Sequence, residues 1–122
     1  MSESRTTPTL PSTIEAVFSS GQLIAAIAQD HVNNQVLMLA WMNRDALIET
    51  LQTGEVTYWS RSRNQLWKKG ETSGHTQQLR EIFYDCDADA LLMKVEQIGA
   101  ACHNGTRTCF VNSLDIMNEK TV

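Results

Sequence analysis

The sequence predicts an α+β domain, rich in strands and carrying one main helix. Three observations carry that expectation. Short apolar or alternating stretches recur between turn residues, the pattern of strands. One segment, Asn43 to Gly54, has both a helix-start and a helix-stop signal. The strands follow one another without an intervening helix each time, so the chain is no βαβ repeat.

The elements follow in chain order. Residues 1–12, within MSESRTTPTLPST, are polar and hold both prolines, so they are expected to form a flexible arm ahead of a domain over 13–122. After Gly21, QLIAAIAQ (22–29) fits a strand, and Asn33-Asn34 punctuate a turn. VLMLAWM, Val36 to Met42, is continuously apolar and suits a strand buried on both faces. Asn43 is then a good helix N-cap, with Asp45 and Glu49 toward the positive end and Gly54 able to close the far end. Met42 and Leu47 stand at the two positions of a hydrophobic staple, and Leu47, Ile48 and Leu51 make one apolar face. Val56–Ser60 reads as a strand and 61–76 as a long polar loop. Gln78–Asp87 and Ala90–Gln97 read as two further strands, with Asp87 to Asp89 near the bend.

With 122 residues and 42% apolar content the chain suffices for one domain with a real core. A formal charge of −4 argues against a broad surface for duplex nucleic acid, while leaving room for a local basic pocket. The N-terminus has no apolar signal core and no run is long enough to span a bilayer, so the expected setting is cytoplasmic, with no membrane partner. Three cysteines, Cys86, Cys102 and Cys109, cannot all pair, and in a reducing compartment metal binding or catalysis becomes the better use of thiols.

Three segments concentrate chemistry. In DCDAD an extended backbone would place Asp85, Asp87 and Asp89 on one face, an all-oxygen set suited to a hard divalent cation, and Cys86 on the other. A solvated acidic edge is the alternative. In ACHNGTRTCF six residues separate Cys102 from Cys109, which is not the tight knuckle of structural zinc sites. The thiols are either small buried apolar groups or, with Cys86, three ligands to a zinc that keeps an open position. Three thiolates make zinc a weaker Lewis acid than three imidazoles do. A catalytic zinc would therefore need a nearby cation or base, and His75 and His103 are candidates for the base. The third segment, WSRSRNQLWKKGETSGHTQ, mixes Arg61, Arg63, Lys68 and Lys69 with hydroxyls and glycines that suit phosphate oxygens. Its tryptophans, Trp59 and Trp67, either stack on a base or belong to the core.

Taken together, VLMLAWMN, GEVTYWSRSRNQLWKKGETSGH, DCDADALL and GAACHNGTRTCF, in this order and spacing, resemble the phosphoribosyl-AMP cyclohydrolase family of histidine biosynthesis. The resemblance runs from about Gly21 to Phe110. It implies zinc, one per subunit, at Cys86, Cys102 and Cys109, and magnesium at Asp85, Asp87 and Asp89. It implies an intertwined homodimer with each zinc site shared between subunits. The reaction it implies is hydrolytic opening of the adenine N1–C6 bond of phosphoribosyl-AMP by zinc-activated water, giving ProFAR, with magnesium assisting substrate binding. On that footing His75 is the first choice for proton transfer and His103 the second. Trp59, Arg61, Arg63, Lys69, Glu71 and Ser73 are expected to bind the nucleotide. Ala25 stands where many members have proline, a matter of backbone stiffness. The chain ends twelve residues after Phe110, so it is expected to be monofunctional. Two rival classes remain: a zinc-stabilised interaction module, and a zinc nucleobase deaminase, whose H-x-E and P-C-x-x-C signature is not in the sequence.

Overall fold

Residues 7–116 are described by a computed structural model. The elements are α1 (Ser12–Ser19), β1 (Ile24–Asp30), β2 (Val36–Met42), α2 (Arg44–Thr53), β3 (Thr57–Ser60), β4 (Gln65–Lys68), β5 (Gln77–Tyr84) and β6 (Ala90–Gln97). β2, β1, β6 and β5 form a four-stranded sheet in that order, while β3 and β4 form a separate hairpin. Within the sheet β1 and β6 run parallel and the outer pairs antiparallel. This is an α+β domain, as expected.

The inward positions of β1 and β6 alternate strictly. Ile24, Ala26 and Ala28 of β1, and Leu91, Met93 and Val95 of β6, are buried. α2 forms where the sequence placed it. The Asn43 side chain accepts from the Ala46 N–H at 2.9 Å, Gly54 takes a left-handed φ of 77°, and both staple residues, Met42 and Leu47, are buried. The cap contributes about 1 kcal/mol. Thr50 ties α2 to β3: its hydroxyl donates to the carbonyls of Ala46 and Thr57 and accepts from the Thr57 N–H.

Five expectations need correction. A second helix, α1, precedes the sheet; it lacks a side-chain cap, and Ile14 is its buried residue. Its Glu15 takes a two-pronged bond from Arg44 at 2.8 and 2.9 Å, so tertiary contacts compensate for a weak local signal. Of the expected arm, residues 1–6 lie outside the described residues, and Leu10 is buried in the core. β2 is an edge strand rather than one buried on both faces, with Val36 and Leu39 exposed. The segment 61–76 is not a continuous loop, because Gln65–Lys68 pairs with β3 and sets Trp67 beside Tyr58, ring centroids 5.4 Å apart. Finally, β5 ends at Tyr84, so the aspartates lie on a turn rather than an extended strand.

Candidate functional site

The turn from Asp85 to Asp89 gathers its carboxylates by reversing direction, not by strand alternation. Ala88 takes a positive φ of 62°, and the Asp85 Oδ1 accepts from the N–H groups of Asp89 and Ala90. Carboxylate oxygens of Asp85, Asp87 and Asp89 all lie within 4.8 Å of one another. Slight desolvation pushes the exposed Asp85 carboxyl up, but the donated N–H bonds outweigh it and hold it below the usual range. Asp89 is pushed the other way, chiefly by a shared hydrogen bond with Asp87 and then by desolvation and like charge. A cluster that crowds one carboxyl toward protonation fits a hard divalent cation, whose charge removes the conflict.

The thiols separate into two places. Among the described residues, Cys86 does not join Cys102 and Cys109 in any close group of three ligands. Cys102 opens a tight loop, in which its N–H donates to the Thr106 carbonyl at 3.1 Å and the Gly105 N–H returns to the Cys102 carbonyl at 2.9 Å. Gly105, with φ 92°, makes the reversal. Cys109 is fixed to β2 by its N–H on the Leu37 carbonyl at 2.7 Å, and the Thr108 hydroxyl donates to Val36. Each thiol is among the groups that set the other's ionisation. N–H donation from Asn104, then the Thr106 hydroxyl, lowers Cys102, while burial and its neighbour thiol raise Cys109. Two adjacent thiols, one predisposed to ionise, suit a soft divalent cation such as zinc and leave ligand positions for a further donor.

A cavity of about 350 Å³ opens beside Cys102, lined also by Arg63, Trp67, Lys69, Glu71, Ser73, His75 and His103. Most of the expected catalytic and nucleotide-binding residues are therefore in one place. Trp59 and Arg61 face a second cavity of about 590 Å³, whose wall shares Arg63 and Trp67 with the first. There the Arg61 guanidinium lies 4.7 Å from the Trp41 ring centroid. Lys69 differs from the two arginines. It is buried, and its ammonium donates to the Ala101 carbonyl at 2.6 Å.

His75 is held by groups that the sequence reading did not single out. Tyr58, fully buried, donates its hydroxyl to the Gln77 Oε1 at 2.7 Å, and the Gln77 amide donates to the Gln97 Oε1 at 2.8 Å. The Gln97 amide then faces the carbonyls of His75, Thr76, Ile98 and Ala100, so one side chain ties the His75 segment to the strand leading to Cys102. Gly70 and Gly99 leave room for it. A Cβ on Gly70 would stand 2.5 Å from the His75 backbone, and one on Gly99 would stand 2.6 Å from the imidazole. One signal was available: β6 alternates Leu91, Met93, Val95, and the next inward position is a glutamine. Gly99→Ala is accordingly expected to displace the imidazole and cut kcat by about 100-fold, the scale of an ångström of misplacement. Rates and thermal melts of the variant check this; a folded variant with full activity would contradict it.

The α+β fold, with a cavity holding a thiol, two histidines and cationic side chains at the Gln77–Gln97 end of the β5–β6 pair and an acidic turn at its other end, has the make-up of a small enzyme. Comparison with known proteins narrows the class. The family model for phosphoribosyl-AMP cyclohydrolase matches residues 38–111. Over 100 residues the chain is 59% identical to the phosphoribosyl-AMP cyclohydrolase of Trichormus variabilis, covering 81% of this chain and 86% of that protein. It is 62% identical over 97 residues to that of Halorhodospira halophila, with 80% and 68% covered, and 54% identical over 108 residues to that of Methanosarcina barkeri, with 87% and 84% covered. The chain belongs to the phosphoribosyl-AMP cyclohydrolase family and is a hydrolase of histidine biosynthesis. No helix among the described residues is long and apolar enough to cross a membrane.

Proposed function

We propose that the chain opens the adenine ring of phosphoribosyl-AMP by adding water across the N1–C6 bond, giving ProFAR. The observation that carries this reading is the single cavity in which a cysteine of the thiol pair, two histidines and cationic side chains face one another. Cys102 and Cys109, with Cys86 of the partner subunit, would hold zinc, which supplies the Lewis acidity that makes water nucleophilic near neutral pH. Asp85, Asp87 and Asp89 would hold magnesium, whose charge assists binding of the phosphorylated substrate.

The chain's own residues do the rest. Arg61 and Arg63 meet the phosphates, Trp59 offers a stacking face, and Glu71 and Ser73 line the nucleotide pocket. The Ser73 hydroxyl also accepts from the backbone N–H of His75 at 3.2 Å, linking the pocket wall to the His75 backbone. His75 accepts a proton as water adds to C6 and returns one to N1 as the C6–N1 bond breaks, the electron pair leaving on N1. His103, exposed at the cavity mouth, is the second candidate for that transfer.

A shared homodimeric site is supported by what a single chain leaves apart and uncovered. Cys86 stands away from the thiol pair, and Leu39, Phe83, Phe110 and Val111 are exposed. An enzyme of this kind belongs in the cytoplasm with its pathway. The test is the product. Mass spectrometry is expected to find the nucleotide heavier by one water with no ammonia released. Ammonia release would mark a deaminase instead, and an unchanged nucleotide would favour a binding module.

A further inference from the structure

Lys69 is buried to 8% exposure, and none of the ion pairs among the described residues includes it. A lysine so placed needs compensation, because desolvation disfavours its charge. Its stem is fixed at the end of β4, where its N–H donates to the Val56 carbonyl at 3.0 Å. Its ammonium donates to the carbonyl of Ala101, the residue before Cys102, and lies 5.6 Å from the Trp67 ring centroid. Lys69 and Cys102 line the same cavity, and burial holds the ammonium below the ordinary lysine range while the Cys109 and Cys102 thiols act in the opposite direction. Trp67 and Ala101 wall it in.

We propose that Lys69 is a positioning and charge-balancing residue for the Cys102–Cys109 pair, not a contact to substrate phosphate. The proposal rests on the reading of the thiols as zinc ligands. Three thiolates around a divalent ion leave one net negative charge, and a fixed ammonium beside them brings the site to neutrality. The bond to Ala101 does a second job, since it holds the loop entry from which the Cys102 thiol is presented. The sequence raised the need for a cation near a thiolate-rich zinc, and the arginines do not meet it: Arg61 and Arg63 are exposed. Lys69 is the basic residue that lies buried beside the pair.

The test is zinc affinity of the full-length protein without substrate, measured by competition with a chromophoric chelator. Lys69→Met keeps the stem volume and removes the charge, and Lys69→Arg keeps the charge. Lys69→Met is expected to bind zinc about 10- to 100-fold more weakly, the range for loss of a group supporting metal ligands, with Lys69→Arg recovering part of the loss. The KM for the nucleotide is expected to stay in place, whereas a phosphate contact would raise it and leave zinc binding alone. Thermal melts show whether each variant folds, and Lys69→Gln replaces Lys69→Met if that variant does not. Zinc affinity equal to the wild type in a folded, uncharged variant would overturn the proposal while leaving the ring-opening reading intact. A wild-type chain that binds no zinc would overturn both.

Discussion

A Cys109→Ser chain is expected to lose zinc and ring opening together, and to recover about a quarter of wild-type activity when co-expressed with Cys86→Ala. The reason is where the thiols lie. Cys102 and Cys109 sit on one short loop and act on each other's ionisation, whereas Cys86 stands on the β5–β6 turn outside any three-ligand group among the described residues. In the proposed two-fold dimer each site would take Cys86 from one subunit and the pair from the other. A mixed dimer of the two variants then has one site with both defects and one with neither. Half of the dimers are mixed and half of their sites are whole, which gives the expected fraction. Zinc content and initial rates of the co-purified mixture decide it. A site built within one chain would yield nothing from the mixture, and full zinc and activity in Cys109→Ser alone would disprove the thiol assignment.

Asp30→Asn is expected to cost about 2 kcal/mol of stability at neutral pH. Asp30 ends β1 with its side chain 7% exposed, accepts from the Val32 and Asn33 N–H groups, and pairs with Arg107. Arg107 also donates to the Gly99 carbonyl at 3.1 Å, so this pair anchors the loop bearing Cys102 and Cys109 to the sheet. The figure sits below that of a fully buried pair because Arg107 is 42% exposed and its charge is partly screened. The hydrogen bond from Arg107, with help from the two N–H groups, holds the Asp30 carboxyl below its ordinary range despite burial. Its folded pKa is thus depressed, so its contribution is whole above the unfolded value of about 3.9 and is lost as pH falls through the folded value. Urea melts of wild type and variant are expected to differ at pH 7 and to converge in acid. A gap independent of pH would contradict the assignment.

Much of the fold was legible because local signals and tertiary needs agree. Asn43 and Gly54 bracket α2 in the sequence and cap it in the structure, and the alternation of β6 survives as its burial pattern. Two of the misses share one cause, which is stabilisation from outside the segment. α1 depends on the Glu15–Arg44 pair, and the polar β4 depends on pairing with β3. The aspartates converge through a positive φ at Ala88, a conformation that alanine does not announce. The site was legible as a set of motifs, but its internal order was not. Nothing local distinguishes buried Lys69 from half-buried Lys68, although Lys68 pairs with Glu55 and Lys69 turns inward. Nor does the sequence around Gln77 and Gln97 say that they join Tyr58 in a buried chain ending on the His75 backbone.

The most direct measurement follows ring opening by absorbance when purified protein, stripped of metal and reloaded with zinc and magnesium, meets phosphoribosyl-AMP. Turnover is expected to rise with zinc occupancy to one ion per subunit and to vanish when zinc is removed. No turnover from protein with both metals bound would contradict it.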